Sequence, residues 1–406
     1  MSCQDRVYQW ATVIEQQLPH LSKPEALGLA LGSLGMIWAR SCALSAVSLW
    51  LGAGLGRKPN TVRQQLREWC YERGAKRGAK RRELAVEPCF APLLGWVLRR
   101  WEGREVALAL DATSLGTRFT VLAVSALYRG CAIPVAWTIL PANQKHAWRG
   151  EWLRLLFRLH RALPRSYRVI VLADRGLDAP WLFRRIVRLG WHPGLRINLG
   201  GSFRPACAKH FAPLPSFVPQ TGMRWAGTGV ALGAKSRQLR CTLLACWEPG
   251  YKDPWLVLTD LAPAAADVAW YGLRAWIEAG FKCTKRGGWQ WQRTKMTDPD
   301  RAARLWLGVA VATLWLLSVG GVAETEAERP LATLPDRAIL LPARQRQATR
   351  LRLVSRFRRG AVVLWAAMLQ DAPLPLGRLT PEPWPTSAAP PQEHCAVCAG
   401  RVACAA

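Results

Sequence analysis

Two short apolar segments of the chain each run directly into an aspartate. Val106–Leu110 precedes Asp111, and Arg168–Ala173 precedes Asp174. Runs of this length and composition indicate buried β-strands. The neighbouring candidates are strands at Phe119–Tyr128, Cys131–Leu140 and His192–Asn198 and helices at Trp148–Leu163 and Ala179–Leu189. This order predicts an α/β fold with a mixed sheet, in which the two aspartates could lie side by side.

A third acid lies on the segment Trp270–Lys285, whose spacing predicts a helix. At ~100° per residue, Tyr271, Arg274, Glu278 and Lys285 fall within an arc of roughly 60°. The adjacent arc is apolar and would face a core: Trp270, Leu273, Ile277 and Phe281. An ordinary amphipathic helix with Arg274–Glu278 pairing gives the same pattern. The two strand-end aspartates favour a shared polar site instead.

Residues 200–262 interrupt the α/β order, because they are rich in glycine, proline and tryptophan. Strand-like segments at Leu239–Cys246 and Trp255–Leu261 predict a β-rich insertion before the helix that carries Glu278. Asp260 also follows an apolar strand. Its strand belongs to the insertion, so we interpret Asp260 as structural.

The N-terminal region, residues 1–102, has the pattern of a helical, basic domain. Ala43–Gly56 is apolar, and Asn60 can cap a helix from Thr61 to about Tyr71. Val62, Leu66 and Trp69 would face inward, and Arg63, Gln64 and Arg67 outward. The pattern fits a helix-turn-helix DNA-binding element or a plain helical hairpin. Arg73–Arg82 follows as a basic linker, suited to phosphate contact or simply solvated.

The C-terminal region, residues 325–406, changes character again. Thr349–Leu369 predicts a basic helix, with Arg350, Arg352, Arg356, Arg358 and Arg359. Ala372–Pro391 contains seven prolines and predicts disorder. Cys395, Cys398 and Cys404, next to His394, resemble half of a zinc site without a second pair nearby.

Charge indicates the class of partner. The chain of 406 residues has 56 Lys and Arg against 27 Asp and Glu, a net charge of +29. A surface this positive attracts polyanions through counterion release, so nucleic acid is the first expectation and an anionic membrane the second. A coding bias towards arginine could account for part of the excess.

The compartment is predicted to be the cytoplasm. The first ten residues are polar and do not resemble a signal peptide. The twelve cysteines are scattered, mostly in apolar runs, which is typical of a reducing environment. Leu305–Val322 has 18 residues without a charge. It sits at the lower limit for a membrane span, and we interpret it as a buried core helix.

Three carboxylates, two at strand ends and one on a helix, suit a site for two divalent metal ions. Mg²⁺ prefers hard oxygen ligands and keeps several waters, so few carboxylates suffice. Two such ions can activate a water or a 3′-hydroxyl for phosphodiester cleavage. Arg274 and Lys285, on the same face as Glu278, would then hold phosphates.

The spacing Tyr271-x2-Arg274-x3-Glu278-x6-Lys285 resembles the Tyr-Arg-Glu-Lys signature of bacterial DDE transposases of the insertion-sequence-four family. LALDATS around Asp111 and VLADRGL around Asp174 resemble the first two acid motifs of that family. The resemblance covers about residues 103–322.

The resemblance implies an RNase H-like catalytic core, residues 103–324, with the β-rich insertion inside it. It implies Mg²⁺-dependent cut-and-paste transposition, in which Mn²⁺ could substitute for Mg²⁺. The steps would be nicking at the element ends, hairpin formation in related members, and strand transfer into a target. Asp111, Asp174 and Glu278 would be the catalytic metal ligands.

The implied partner is double-stranded DNA, both the terminal inverted repeats and the target, bound by a homodimer at the nucleoid. Seven residues are DNA-binding candidates: Tyr271, Arg274, Lys285, Lys282, Arg175, Arg63 and Arg67. A tryptophan of the insertion holds a flipped base in related members, and the candidates here are Trp225, Trp247 and Trp255.

Three other functions fit parts of the sequence. The chain could be a transposase-derived DNA-binding protein that has lost its chemistry. It could be an RNase H-like nuclease that only cleaves. It could also be a membrane-associated basic protein built around Leu305–Val322.

Overall fold

The computed structural model describes residues 2–77, 82–142, 148–234, 238–331 and 354–387, with side chains up to residue 325 in the fourth range. The α-helices are α1 (Cys3–Gln17), α2 (Lys23–Ala39), α3 (Leu44–Leu55), α4 (Pro59–Cys70), α5 (Glu87–Arg99), α6 (Arg149–His160), α7 (Pro180–Arg188), α8 (Ala275–Lys282), α9 (Pro299–Leu331) and α10 (Arg356–Leu369).

The strands are β1 (Glu105–Leu115), β2 (Phe119–Tyr128), β3 (Cys131–Pro141), β4 (Arg168–Ala173), β5 (His192–Arg196), β6 (Ser202–Pro205), β7 (Ala212–Pro213), β8 (Arg224–Ala231), β9 (Leu239–Cys246) and β10 (Trp255–Thr259). They form one sheet in the order β3-β2-β1-β4-β5-β10-β9-β8-β6-β7. Helices flank this mixed sheet, as the sequence predicts.

The centre of the sheet brings the two aspartates together. β1 and β4 are parallel, and their last paired residues are Leu110 and Ala173. Asp111 is the next residue of β1 and Asp174 directly follows β4, so they emerge at the same point of the sheet. The sequence predicts that β1 ends at Asp111, but β1 continues to Leu115 because β2 still pairs with it there.

The hairpin from β2 to β3 turns at Arg129 and Gly130, as predicted. Both residues have positive φ, 43° and 85°. Two-residue turns of this hand match the right-handed twist of the flanking strands, and glycine adopts the second position without strain.

The β-rich insertion extends the central sheet. β10 pairs antiparallel with β5, and β9, β8, β6 and β7 continue outward from it. The fold is therefore a mixed α/β sheet interrupted in sequence, but not in hydrogen bonding, by the insertion. Asp260 lies just after β10 and pairs with His192 Nδ1 at 3.1 Å, in keeping with a structural role.

The uncharged segment Leu305–Val322 lies within α9. α9 packs against α2, α10 and β3. Pro299–Thr325 is long and apolar enough to cross a membrane, but 94% of its most apolar window is buried inside the fold. The expectation of a buried core helix is confirmed.

The N-terminal region is helical, and α3 and α4 form a closely packed pair joined by a short turn. Val62, Leu66 and Trp69 face the core, and Arg63 and Arg67 are exposed, as predicted. α4 begins at Pro59 with Lys58 as its cap, so the prediction of Asn60 as the cap is wrong. Proline is favoured in the first helical turn, where its missing N–H costs nothing.

The proline-rich tail is not disordered over residues 372–387. Leu379 is fully buried, and its backbone bonds Arg100 and Glu102. Trp384 packs edge-on against Trp270. Disorder is predicted from composition, but these apolar side chains find partners on the core. Residues 388–391, Cys395, Cys398 and Cys404 lie outside the described residues.

The basic C-terminal helix begins later than predicted, at Arg356. Arg350 and Arg352 lie outside the described residues, as do 78–81 of the basic linker. Arg356 is buried beside Glu324 and Glu382, so this cation serves an internal ion-pair network instead of a basic surface.

Candidate active site

The third acid lies on a helical segment with three successive geometries. A 3-10 helix spans Val268–Arg274, α8 follows, and a π-helix spans Cys283–Gly287. α8 rests directly on β3, since a Cβ added at Gly280 would lie 2.9 Å from the Ala132 Cβ. This close approach, which only glycine allows, brings Glu278 over the sheet beside β1 and β4.

The three acids converge on one guanidinium group. Arg274 donates to Asp111 Oδ2 at 2.9 Å, to Asp174 Oδ2 at 3.2 Å and to Glu278 Oε1 at 2.7 Å. Both aspartate oxygens bond the same nitrogen, Nη2, so they lie no farther apart than the sum of their two distances. Residues separated by 63 and 104 positions in the sequence thus share one small polar site.

The three acids differ in their exposure to water. The exposed fraction of the side chain is 15% for Asp111, 41% for Asp174 and 63% for Glu278. Burial raises the pKa of Asp111 to about 6, although Arg274 opposes the shift. Burial alone would lower the pKa of Arg274, but Asp111 and the other nearby acids raise it. The guanidinium is therefore a fixed positive charge among the carboxylates.

Two of the predicted DNA-binding lysines lie on the same helical segment. Lys282 is exposed at the end of α8. Lys285 is half-buried in the π-helix; burial and the neighbouring Arg286 lower its pKa, and Asp111 opposes this shift. Lys285 is thus within electrostatic reach of the acids, while Lys282 faces solvent.

Tyr271 is buried, with its ring 5.3 Å from the ring of Trp255 and 5.8 Å from the guanidinium of Arg196. Burial raises its pKa, opposed by Arg274 and Arg196. Arg175 pairs with Asp253 at 3.1 Å. These two residues therefore have partners within the protein, which the sequence pattern did not reveal.

An open cleft of about 360 Å³ lies beside the acids. Its lining residues are Asp174, Arg175, Arg196, Tyr251, Lys252, Asp253, Tyr271 and Arg274. Four cations against two acids make this an anion-attracting surface at the edge of the carboxylate cluster.

Arg196 and Lys252 were missed by sequence reasoning. Arg196 ends β5, which is parallel to β4, so its side chain emerges near Asp174. β5 is the third parallel strand beside β1 and β4, so the charged residue at its end could have been predicted to lie near the acids. Lys252 lies in the connection between β9 and β10, whose path cannot be read from periodicity.

The three candidate tryptophans of the insertion occupy different environments. Trp225 is 3% exposed and packs against Phe203 and Phe217, so it has no face free for a base. Trp247 is half-buried, and its indole N–H donates to the Tyr251 carbonyl at 3.0 Å. Trp255 is half-buried between Tyr251 and Tyr271, at the cleft.

The model of the Transposase DDE domain family matches residues 103–315, which is just over half of the chain and includes all three acids. The chain belongs to the DDE transposase family. The RNase H-like fold class predicted for the catalytic core is confirmed. No curated protein matches this transposase.

DDE domains generally use divalent metal ions, and the donors of this transposase fit one in chemical type. Asp111, Asp174 and Glu278 offer oxygen atoms of the kind that Mg²⁺ and Mn²⁺ prefer. Among the described residues, no three acidic, histidine or cysteine side chains form a ready metal-binding group. Arg274 lies between the three carboxylates, so a metal ion would compete with its guanidinium for their oxygens.

Proposed function

We propose that this transposase belongs to the insertion-sequence-four family and catalyses cut-and-paste DNA transposition with divalent metal ions. The observation that carries the proposal is the convergence of Asp111, Asp174 and Glu278 on Arg274. Clustered carboxylates are unfavourable without a counter-charge, and here three separate elements of the fold deliver them to one point. The Tyr-Arg-Glu-Lys spacing on the helical segment supports the family assignment.

The proposed catalytic residues are the three acids, which would hold two Mg²⁺ ions, or Mn²⁺ in their place. Such ions, when bound, favour deprotonation of an attacking water or 3′-hydroxyl and stabilise the leaving oxygen. Asp111 is the most buried of the three, and it binds a metal ion strongly only as a carboxylate. Before a metal ion is bound, Arg274 holds the three carboxylates in place.

The cations around the acids are the proposed phosphate contacts. Arg175, Arg196 and Lys252 line the cleft next to Asp174. Lys282 and Lys285 follow Glu278 along the helical segment. An arginine freed from carboxylates can bind a phosphate with two parallel hydrogen bonds, which suits Arg274 for the DNA backbone. Tyr271 would position the cleft wall, because its ring is buried against Trp255.

The domain division is proposed as in the sequence: residues 1–102 bind DNA, 103–324 carry the chemistry, and 325–406 form the C-terminal region. Arg63 and Arg67 are exposed on α4 and free to contact DNA. We expect the substrate to be double-stranded DNA with terminal inverted repeats, handled by a homodimer at the bacterial nucleoid. Trp255 is the best placed of the three tryptophans to stack on a base near the acids.

A strand-transfer experiment tests the proposal against its two alternatives. The substrate is a labelled duplex that ends in the DNA flanking the reading frame, mixed with a target plasmid and Mg²⁺. A transposase joins the labelled 3′ ends to the plasmid. Nicked DNA without joined product would identify a cleavage-only nuclease, and binding without any nicking would identify an inactive descendant. Either result overturns the proposed function.

A further inference from the structure

A second basic cleft, of about 520 Å³, lies between α4 and the segment 293–298 that precedes α9. It is separate from the cleft beside the acids. Five cations line it: Arg63, Arg67, Arg293, Lys295 and Arg301. Among the residues that the structure describes, Asp298 is the one acid in its lining. We call it the α4 cleft.

One wall of the α4 cleft is held rigidly. Arg301 makes two hydrogen bonds to Glu72, at 2.9 and 2.6 Å, and its guanidinium lies 4.2 Å from the centre of the Tyr71 ring. Arg67 lies over the same ring at 5.7 Å. Stacking of guanidinium groups on an aromatic ring stabilises them where they stand. Tyr71 therefore fixes two cations at the edge of the cleft.

Three further cations that line the α4 cleft have no counter-charge among the described residues. The side chains of Arg63, Arg293 and Lys295 are exposed, and none makes a salt bridge or a hydrogen bond within the described ranges. Three unpaired positive charges that face one concave surface repel one another and favour a bound anion. A single solvated cation would have no such preference.

The α4 cleft is tied to the strand that carries Asp111. Arg118, in the turn between β1 and β2, donates to the carbonyls of Thr294 and Met296, the latter at 2.9 Å. Leu115, at the end of β1, lies four residues beyond Asp111, or about 13 Å along the strand. This corresponds to ~4 base pairs of B-DNA. The segment 293–298 of the cleft is thus anchored next to the C-terminal end of β1, about 13 Å along the strand from Asp111.

We propose that the α4 cleft binds the phosphodiester backbone of duplex DNA, several base pairs from the bond at the acid cluster. The inference rests on the proposed function, which makes DNA the polyanion. The new element is the location of a second DNA contact. The DNA would be held at two points, by the acid cluster and by a cleft shared between the N-terminal region and the catalytic domain. Arg63 and Lys295 reach the same phosphate chain from opposite walls.

Salt-dependent binding of the full-length protein tests this proposal. A labelled duplex of arbitrary sequence is titrated by fluorescence anisotropy over a range of salt concentrations. The double variant Arg63→Ala/Lys295→Ala should bind the duplex about tenfold more weakly. The slope of log affinity against log salt should become shallower by the amount expected for the loss of about two phosphate contacts. Both residues are exposed, so the variant should unfold at the wild-type temperature, which is measured in parallel.

The matched control removes the same charge elsewhere. Arg165 and Arg188 are also exposed and outside both clefts. The double variant Arg165→Ala/Arg188→Ala should keep the wild-type slope. Equal slopes for the two double variants would overturn the proposal, because total charge alone would then explain binding. An RNA hairpin is tested beside the duplex. If the α4-cleft variant loses affinity only for the RNA, the proposal of a duplex DNA site is overturned as well.

Different results would contradict the α4-cleft proposal and the proposed function. Asp111→Asn should lose cleavage and keep the wild-type salt slope. If the α4-cleft variant binds and cleaves like wild type, the cleft proposal is wrong and the function stands. If the wild-type protein binds DNA through the cleft but cleaves nothing with any divalent ion, the proposed function is wrong.

Discussion

Arg274 Nη2 lies 2.9 Å from Asp111 Oδ2, at a point where Asp174 and Glu278 bond the same guanidinium. The arginine is the last residue of a 3-10 helix, and the aspartate belongs to β1, an interior strand of the sheet. One cation therefore offsets three carboxylates before any other positive charge is bound.

Arg274→Ala should destabilise the protein in the absence of divalent ions by about 2 kcal/mol, because three carboxylates are left facing one another. Added Mg²⁺ should stabilise this variant more than the wild type, since the guanidinium no longer competes for the oxygens. Urea unfolding with and without Mg²⁺ measures both effects. Arg175→Ala is the control, because its partner Asp253 is outside the three-acid cluster. An equal effect of Mg²⁺ on both variants would contradict the competition.

Asp111 should make stability depend on pH between its ordinary pKa of 3.8 and its raised pKa of about 6. In this window the folded state binds the proton more tightly, so stability falls as pH rises, by about 3 kcal/mol in total. The amide of the Asp111→Asn variant stays neutral over this pH range, so the variant lacks this loss of stability. Its stability relative to wild type should therefore increase from pH 4 to pH 7 in urea unfolding. A difference that stays constant with pH would show that the pKa of Asp111 is not raised.

Gly360→Ala should destabilise the protein by about 3 kcal/mol through overpacking between α9 and α10. The new Cβ would lie 2.0 Å from the Leu316 carbonyl oxygen, and a Cβ at Gly320 would meet the Arg356 oxygen in the same way. Gly150→Ala is the control in a helix with open space, where stability should be unchanged or slightly raised. Thermal unfolding of both variants checks this; similar melting temperatures would mean that the two helices do not cross so closely.

Leu379→Ala should destabilise the protein by about 3 kcal/mol, because this tail side chain is fully buried. Leu376→Ala, in the same tail but 47% exposed, should change stability by less than about 0.5 kcal/mol. Denaturant unfolding of the pair separates a docked tail from a free one. If both variants are as stable as wild type, the tail is not part of the core.

Much of the catalytic core follows from the sequence, because local pattern and sheet geometry agree there. Arg168–Ala173 and Leu239–Cys246 are strands over the predicted residues. Two apolar runs that end in acids predict strands whose acids could lie side by side, and the pairing of Leu110 with Ala173 shows that the two strands are neighbours. Helical spacing likewise places Arg274 and Glu278 on one face.

The remainder depends on contacts that no local pattern encodes. Arg274 was expected to face phosphate, yet its partners are acids that lie 100 and 163 residues away in the chain. The tail has the composition of a disordered segment, but Leu379 and Trp384 dock on distant parts of the core. The α4 cleft joins α4 to a segment more than 200 residues later, so it could not be foreseen from either alone.

The decisive measurement is metal-dependent nicking of duplex DNA by Asp111→Asn, Asp174→Asn and Glu278→Gln beside the wild type. These isosteric changes keep hydrogen-bonding atoms in place and remove one negative charge each. The wild type should nick DNA with Mg²⁺ or Mn²⁺, and each variant should lose nicking while it binds DNA with unchanged affinity. Undiminished Mg²⁺-dependent nicking by any one of the three would contradict a shared metal site at these carboxylates.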